Sequence, residues 1–193
     1  MLAYLGALGQ SRQSDFLIDV FKRVKLEEPE AFLLLIGEGA SDDEKRWIRE
    51  VVERSGVADS IWLTGWLPQS EAIPLLRNAD IALSPVPRGP LFDVSSPTKA
   101  VEYLALGLPC VGNDIPDQQL VLERSGAGLC VPMEVEAFAQ ACLTILRDSA
   151  LARRLSENGP PWVAAHRSYE VLAKQVAAVY QHRLGLNPDA SGA

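Results

Sequence analysis

The chain has 193 residues, 48% of them hydrophobic and 22% charged, and a formal net charge of -7. That length supports one large domain with a sizeable core, and the composition is that of an ordered globular protein rather than a disordered one. The negative charge argues against a nucleic-acid partner, because such surfaces bind through many Lys and Arg contacts to phosphates. No segment approaches a membrane span, and the opening MLAYLGALGQ lacks the tract of a signal peptide, so the expected location is cytoplasmic. Cys110, Cys130 and Cys142 show no metal-ligand spacing; they read as reduced core thiols, with no metal site and no disulfide framework.

Strand-like and helical runs alternate from the first residue to about residue 147, which predicts an α/β fold: a Rossmann-like parallel sheet of about six strands flanked by helices. Leu2 to Leu8 is the first apolar run. A helix follows from about Ser14 to Glu27, with Phe16, Leu17, Val20, Phe21 and Val24 on one face. Phe32 to Ile36 is a buried strand ending at Gly37-Glu38-Gly39, and Ser41 with Glu44 forms a capping box for a helix running to about Ser55. Ile61 to Thr64 is the third strand. A short helix near Ser70 to Ala79 tolerates Pro74 if that residue lies in its first turn. Ile81 to Pro85 is the fourth strand, and the loop Val86 to Ser96 after it is the expected ligand loop, since such sheets bind ligands at the carboxyl ends of their strands. Pro109 to Gly112 and Gly128 to Val131 are the last two strands, with a helix within Pro116 to Arg124 between them. Extra C-terminal helices are expected near Val135 to Arg147, Ala150 to Asn158 and Ser168 to Leu184. Residues 1–185 read as one domain and 186–193 as a frayed tail. The abrupt start at a core strand suggests a fragment whose upstream partner is absent.

The helix start in SSPTKAVEYLALG carries an oddly placed charge. Ser96 is a good N-cap and Pro97 a good first residue, so Lys99 falls at the third helical position, where a capping box would carry an acid. A cation there loses up to ~1 kcal/mol against the helix dipole unless an anion is present. Bare helix amides are themselves an anion site. The alternative is a lysine whose stem carries its charge into water. Other candidate cations are Arg12, delivered by the glycine-bearing loop Gly6 to Arg12, and Arg88. Arg suits a diphosphate because its planar fork donates two hydrogen bonds. Glu102 lies near Lys99 on the helix surface, and reads either as a ribose ligand or as an ion-pair partner of Lys99. Trp66 either flanks a base or packs. His166 and His182 lie far from the ligand loop and read as surface residues.

In order, Tyr4-Leu5-Gly6-Ala7-Leu8 with Arg12 and Asp15, FLLLIGEG, ADSIWLTGWLP, ADIALSP, SSPTKAVEYLALGLPCVGNDIPDQQLVLERSGAGLCVP and LARRLSENG resemble the C-terminal, donor-binding domain of the group 1 (family 4) glycosyltransferases with two-domain GT-B architecture. The resemblance runs from Tyr4 to about Tyr180. It implies transfer from a nucleotide-diphosphate sugar with retention at the anomeric carbon, and no metal or other cofactor. The implied catalytic residues are Arg12 and Lys99 at the diphosphate and Glu102 at the ribose hydroxyls. Gly6, Trp66, Leu67, Asp93, Ser95, Ser96 and Thr98 would contact the donor, with Trp66 and Leu67 lining the base site. The implied partners are a nucleotide sugar and a missing N-terminal acceptor domain, through which any peripheral membrane contact would run.

Two positions depart from the family pattern. Val94, next to Asp93, stands where the first acid of Glu-x7-Glu contacts the donor sugar, and Ala7 replaces an Arg that follows the opening glycine. The hypothesis for Lys99 is that it replaces that lost charge. The other expectations are a non-catalytic interaction domain, favoured by Val94 and Ala7, and a nucleotide-sugar epimerase-like domain, for which no acid and base pair stands out.

Overall fold

Short apolar runs closed by turn residues form six strands: β1 (Leu2–Leu5), β2 (Leu33–Ile36), β3 (Ile61–Leu63), β4 (Ile81–Ser84), β5 (Cys110–Asn113) and β6 (Gly128–Val131). In the computed structural model, which describes residues 1–185, they make one parallel sheet in the order β3-β2-β1-β4-β5-β6. The tail expected at 186–193 lies outside the described residues. Strands β2, β4 and β5 are buried along their whole length, because helices cover both faces of the sheet.

The helices are α1 (Asp15–Glu27), α2 (Asp42–Glu53), α3 (Gln69–Leu76), α4 (Thr98–Ala105), α5 (Pro116–Ser125), α6 (Val135–Arg147), α7 (Ser149–His166) and α8 (Tyr169–Leu184). The period of two along the strands sorts them into two cores. Leu2, Tyr4, Leu33 and Leu35 face α1, α2 and α6, where Phe16 meets Phe138 edge to face at 5.1 Å. Ala3, Leu34 and Ile36 face α3, α4 and α5. The α/β expectation holds, including the extra C-terminal helices. Among the described residues no helix is long and apolar enough to cross a membrane.

Three boundaries differ from the sequence reading. Pro74 sits in the second turn of α3, not the first; the helix is short, and Asn78 donates to the Pro74 carbonyl at 2.7 Å. Helix α7 does not stop at Asn158 but runs through Pro160 and Pro161 to His166. Packing explains the second difference: Gly159 lies against the Leu104 carbonyl with no room for a Cβ, and Val163 beyond the prolines is buried in the α4 core. Tertiary contact here outweighs the two helix hydrogen bonds that the prolines cannot make. Ser14, expected inside the first helix, precedes it and accepts the Gly9 N–H at 2.9 Å. The capping reading at Ser41 holds, since its hydroxyl accepts the Glu44 N–H at 3.2 Å.

Cys110, Cys130 and Cys142 are free thiols. Burial pushes Cys142 up to about 12 and Cys130 up to about 11, and raises Cys110 as well. A thiol that ionises less readily when folded contributes stability that is complete below its unfolded pKa of about 8.5 and is lost as the pH rises. Urea denaturation should therefore show stability falling from pH ~8.5 towards pH ~11, and Cys142→Ala should flatten that slope.

Candidate functional site

The site grows from a gap in the sheet. Strands β1 and β4 pair only at Leu2 with Ile81 and Ala3 with Ala82, after which they part. The Tyr103 hydroxyl fills the gap: it accepts the Leu5 N–H at 2.8 Å and faces the Leu5 carbonyl at 3.3 Å. Tyr103 is fully buried, and burial pushes its pKa well above the usual tyrosine value, so it remains a hydroxyl able to donate. One side chain of α4 thus satisfies backbone groups that would otherwise be left unpaired beside the diverging strands. This gap is the topological switch point of a Rossmann-type sheet, where the order of connections reverses and ligands bind.

Lys99 lies one turn before Tyr103 on the same face of α4. It does not run out into water and does not pair with Glu102. Its ammonium donates to the Tyr4 hydroxyl at 2.9 Å and lies 4.2 Å from the Tyr4 ring centroid. Tyr4 in turn donates to the Ala7 carbonyl at 3.0 Å. A Cβ built on Gly6 would be 3.4 Å from the Lys99 ammonium, so the charge sits against the turn that leaves β1. From that loop, the Arg12 guanidinium lies 5.3 Å from the Phe92 ring of the β4–α4 loop. Two cation and aromatic contacts therefore link opposite sides of the gap. Among the described residues neither cation forms an ion pair, whereas Arg23 and Arg147 each bind two carboxylates.

Gly6 also anchors a ridge that carries Trp66. Its N–H donates to the Ile36 carbonyl at 2.9 Å, and the Gly37 N–H donates to the Gly65 carbonyl at 3.0 Å. Gly37 has φ 141°, and any Cβ there would collide with the Gly6 carbonyl, so glycine is required. Trp66 follows Gly65 and is 70% exposed, a flat apolar surface on the ligand side of the sheet. Leu67 is partly buried against the α3 and α4 core.

The ligand loop is held by polar groups that sequence reasoning missed. The Asn113 amide accepts the Val86 N–H and donates to the Val86 carbonyl, both at 2.8 Å. Gln118 donates to the Ser84 and Asn113 carbonyls at 3.0 Å and accepts the Ser84 hydroxyl at 2.6 Å. Their only sequence signal is an amide at the end of an apolar strand and another in the first turn of the next helix. Arg88, expected to be a candidate phosphate ligand, binds Asp93 and Asp114, each at 2.8 Å, so its charge is neutralised within the loop. These hydrogen bonds raise the Arg88 pKa and hold the Asp93 carboxylate below its ordinary value. Ser95 donates to the Phe92 carbonyl at 2.7 Å, and Val94 is 84% exposed.

The helix start differs from its expected form. Helix α4 begins at Thr98 with Pro97 in the cap position, so Lys99 is its second residue and no side chain caps the helix. Ser96 is not the cap; its hydroxyl donates to Asp117 at 2.6 Å. Glu102 is exposed on the outer side of α4, in an apolar cleft of about 340 Å³ shared with Val101, Val163, Arg167, Tyr169 and Leu172. The structure thus brings Gly6 and Lys99 together at the switch point, with Arg12 against Phe92 of the β4–α4 loop and Trp66 on the adjoining ridge. Glu102 borders the site from the α7–α8 side, and Asp93 is engaged by Arg88.

The parallel order β3-β2-β1-β4-β5-β6, with its switch point between β1 and β4, defines a Rossmann-type domain. The family profile of "Glycosyl transferases group 1" matches residues 1–148, and the chain belongs to that family. It is 26% identical over 180 residues to the glycogen synthase of Mycobacterium tuberculosis, covering 93% of this chain and 42% of that protein. The chain therefore spans less than half the length of this curated relative. Among solved structures, sucrose-phosphate synthase from Thermosynechococcus elongatus superposes with a TM-score of 0.77 at 24% identity, covering 96% of this chain and 46% of its own. Anabaena HepE, solved in complex with UDP, superposes with a TM-score of 0.75 at 17% identity, covering 94% and 48%.

Tyr103→Phe removes the one group that serves both backbone atoms of Leu5. The loss should be ~1–3 kcal/mol of stability, the cost of leaving such groups without partners, read as a lower urea midpoint with an unchanged slope.

Proposed function

We propose that the chain is the donor-binding domain of a retaining glycosyltransferase, which holds a nucleotide-diphosphate sugar at the β1/β4 gap. The observation that carries this reading is the placement of Lys99 and Arg12, two cations held by aromatic rings rather than by carboxylates, on either side of that gap. Aromatic contact orients a cation without cancelling its charge. As the bond between the anomeric carbon and the distal phosphate breaks, negative charge grows on the departing diphosphate. Preorganised cations and helix amides stabilise that charge more than they stabilise the intact donor. No metal ion is required in this scheme.

Lys99 stands in for the Arg that Ala7 lacks: its ammonium lies at the Gly6 turn, and Tyr4 ties it to the Ala7 carbonyl. The amides near Ser95, Ser96 and Thr98 face the phosphates, Glu102 accepts from the ribose hydroxyls, and Trp66 and Leu67 flank the base. Val94 leaves the sugar end to Asp93, which Arg88 holds in place. The UDP bound by HepE supports a nucleoside diphosphate as the ligand. The acceptor belongs to an N-terminal domain outside this chain, and relatives about twice as long support that division.

Calorimetric titration of the chain with UDP, GDP and ADP tests the reading. One nucleotide should bind selectively, and Lys99→Ala and Arg12→Ala should each weaken it about tenfold or more, as expected for loss of a charge-assisted hydrogen bond. If Lys99→Ala left affinity unchanged while Arg12→Ala abolished it, Lys99 would not compensate for Ala7. Binding of none of the three would favour a non-catalytic interaction domain.

A further inference from the structure

The start of α4 carries no side-chain cap. Pro97, in the cap position, has no side-chain acceptor, and the first helical N–H groups have no intrahelical partner. Ser96 is a good capping residue one position away, and capping by Ser is worth ~1 kcal/mol. Its hydroxyl is instead committed to Asp117 Oδ2 at 2.6 Å, at the start of α5. Asp117 is itself held: its Oδ1 accepts from the Arg167 guanidinium at 2.6 Å, and Arg167 lies where α7 ends and α8 begins. Both partners of this ion pair are largely shielded, with side-chain exposures of 29% and 23%. The Arg167 N–H also donates to the Val163 carbonyl at 2.8 Å, which fixes the backbone that carries the guanidinium.

We propose that Asp117 and Arg167 are positioning residues of the donor site, which keep the Ser96 hydroxyl off the α4 amides so that the donor's diphosphate can occupy them. The proposal rests on the donor-site reading above, and it adds a role for two residues to which that reading gives none. Without Asp117, Ser96 is free to cap α4 as Pro97 turns from its extended ψ of 103° to become the first helical residue, an arrangement that suits both residue types. The cap and the phosphate then compete for the same N–H groups. The relay also couples the site to the α7–α8 corner, whose Arg167 lines the same cleft as Ser96, Thr98 and Glu102.

The experiment is a calorimetric titration of the full chain with the nucleoside diphosphate that the wild type binds. Asp117→Ala should weaken binding about fivefold, the factor that corresponds to a ~1 kcal/mol competing cap. Adding Ser96→Ala to Asp117→Ala should restore most of the lost affinity, because the competitor is gone. A relay that only scaffolds the loop predicts the opposite, a double variant no better than Asp117→Ala. Arg167→Met, which removes the anchor of Asp117 and keeps the carboxylate, should show a smaller loss with the same rescue, and serves if Asp117→Ala does not fold. Wild-type affinity in both single variants, or no rescue in either background, would overturn the proposal. A wild-type chain that binds no nucleotide would refute the donor site itself, before any variant is compared.

Discussion

The contact on which the rest of the site depends is that of the Tyr103 hydroxyl with the backbone of Leu5. Parallel strands at a switch point must part for a ligand to enter, and parting leaves main-chain groups without their ladder partners. Supplying those partners from α4 resolves the conflict and also fixes the helix relative to β1. Lys99, one turn earlier on the same face, is thereby aimed at Tyr4 and the Gly6 turn. An α4 that could slide along the sheet would carry this charge away from the gap.

Two sets of cations differ in what holds them. Arg23, Arg88 and Arg147 each bind two carboxylates and tie loops and helices together. Lys99 and Arg12 rest on Tyr4 and Phe92 and keep their charge available to an anion. In a chain of net charge -7, these two cations flank the β1/β4 gap, with Lys99 in the first turn of an uncapped helix. In the proposed function these are the charges an anionic donor would meet, and cations already held in place need not reorganise when the ligand arrives.

The strands and most helices were legible because each follows a strong local pattern. Phe32 to Ile36 and Gly128 to Val131 are apolar runs closed by turn residues, and Ser41 with Glu44 marks a helix start by side-chain chemistry. Pro160 and Pro161 misled because their local cost is outweighed by the packing of Gly159 and Val163 against α4, which no local pattern encodes. At the site, the odd placement of Lys99 was legible, but its partner Tyr4 lies 95 residues away in sequence. Arg88 read as an available cation because Asp114, one of its two acids, is distant in sequence and adjacent in space. Ser96 read as a cap because that is its local preference; Pro97 holds the cap position instead, and the Ser96 hydroxyl donates to Asp117, which lies 21 residues away in sequence.

The central claim is spatial: the diphosphate of the donor lies at the β1/β4 gap, against Lys99 and the start of α4. A crystal structure of the chain with the nucleoside diphosphate that it binds measures this directly. The account predicts a phosphate oxygen within ~3 Å of the Lys99 ammonium, hydrogen-bonding distance for a charged donor, with a second phosphate oxygen on the α4 amides. A nucleotide bound away from the gap, with Lys99 still on Tyr4 and no phosphate near it, would contradict it.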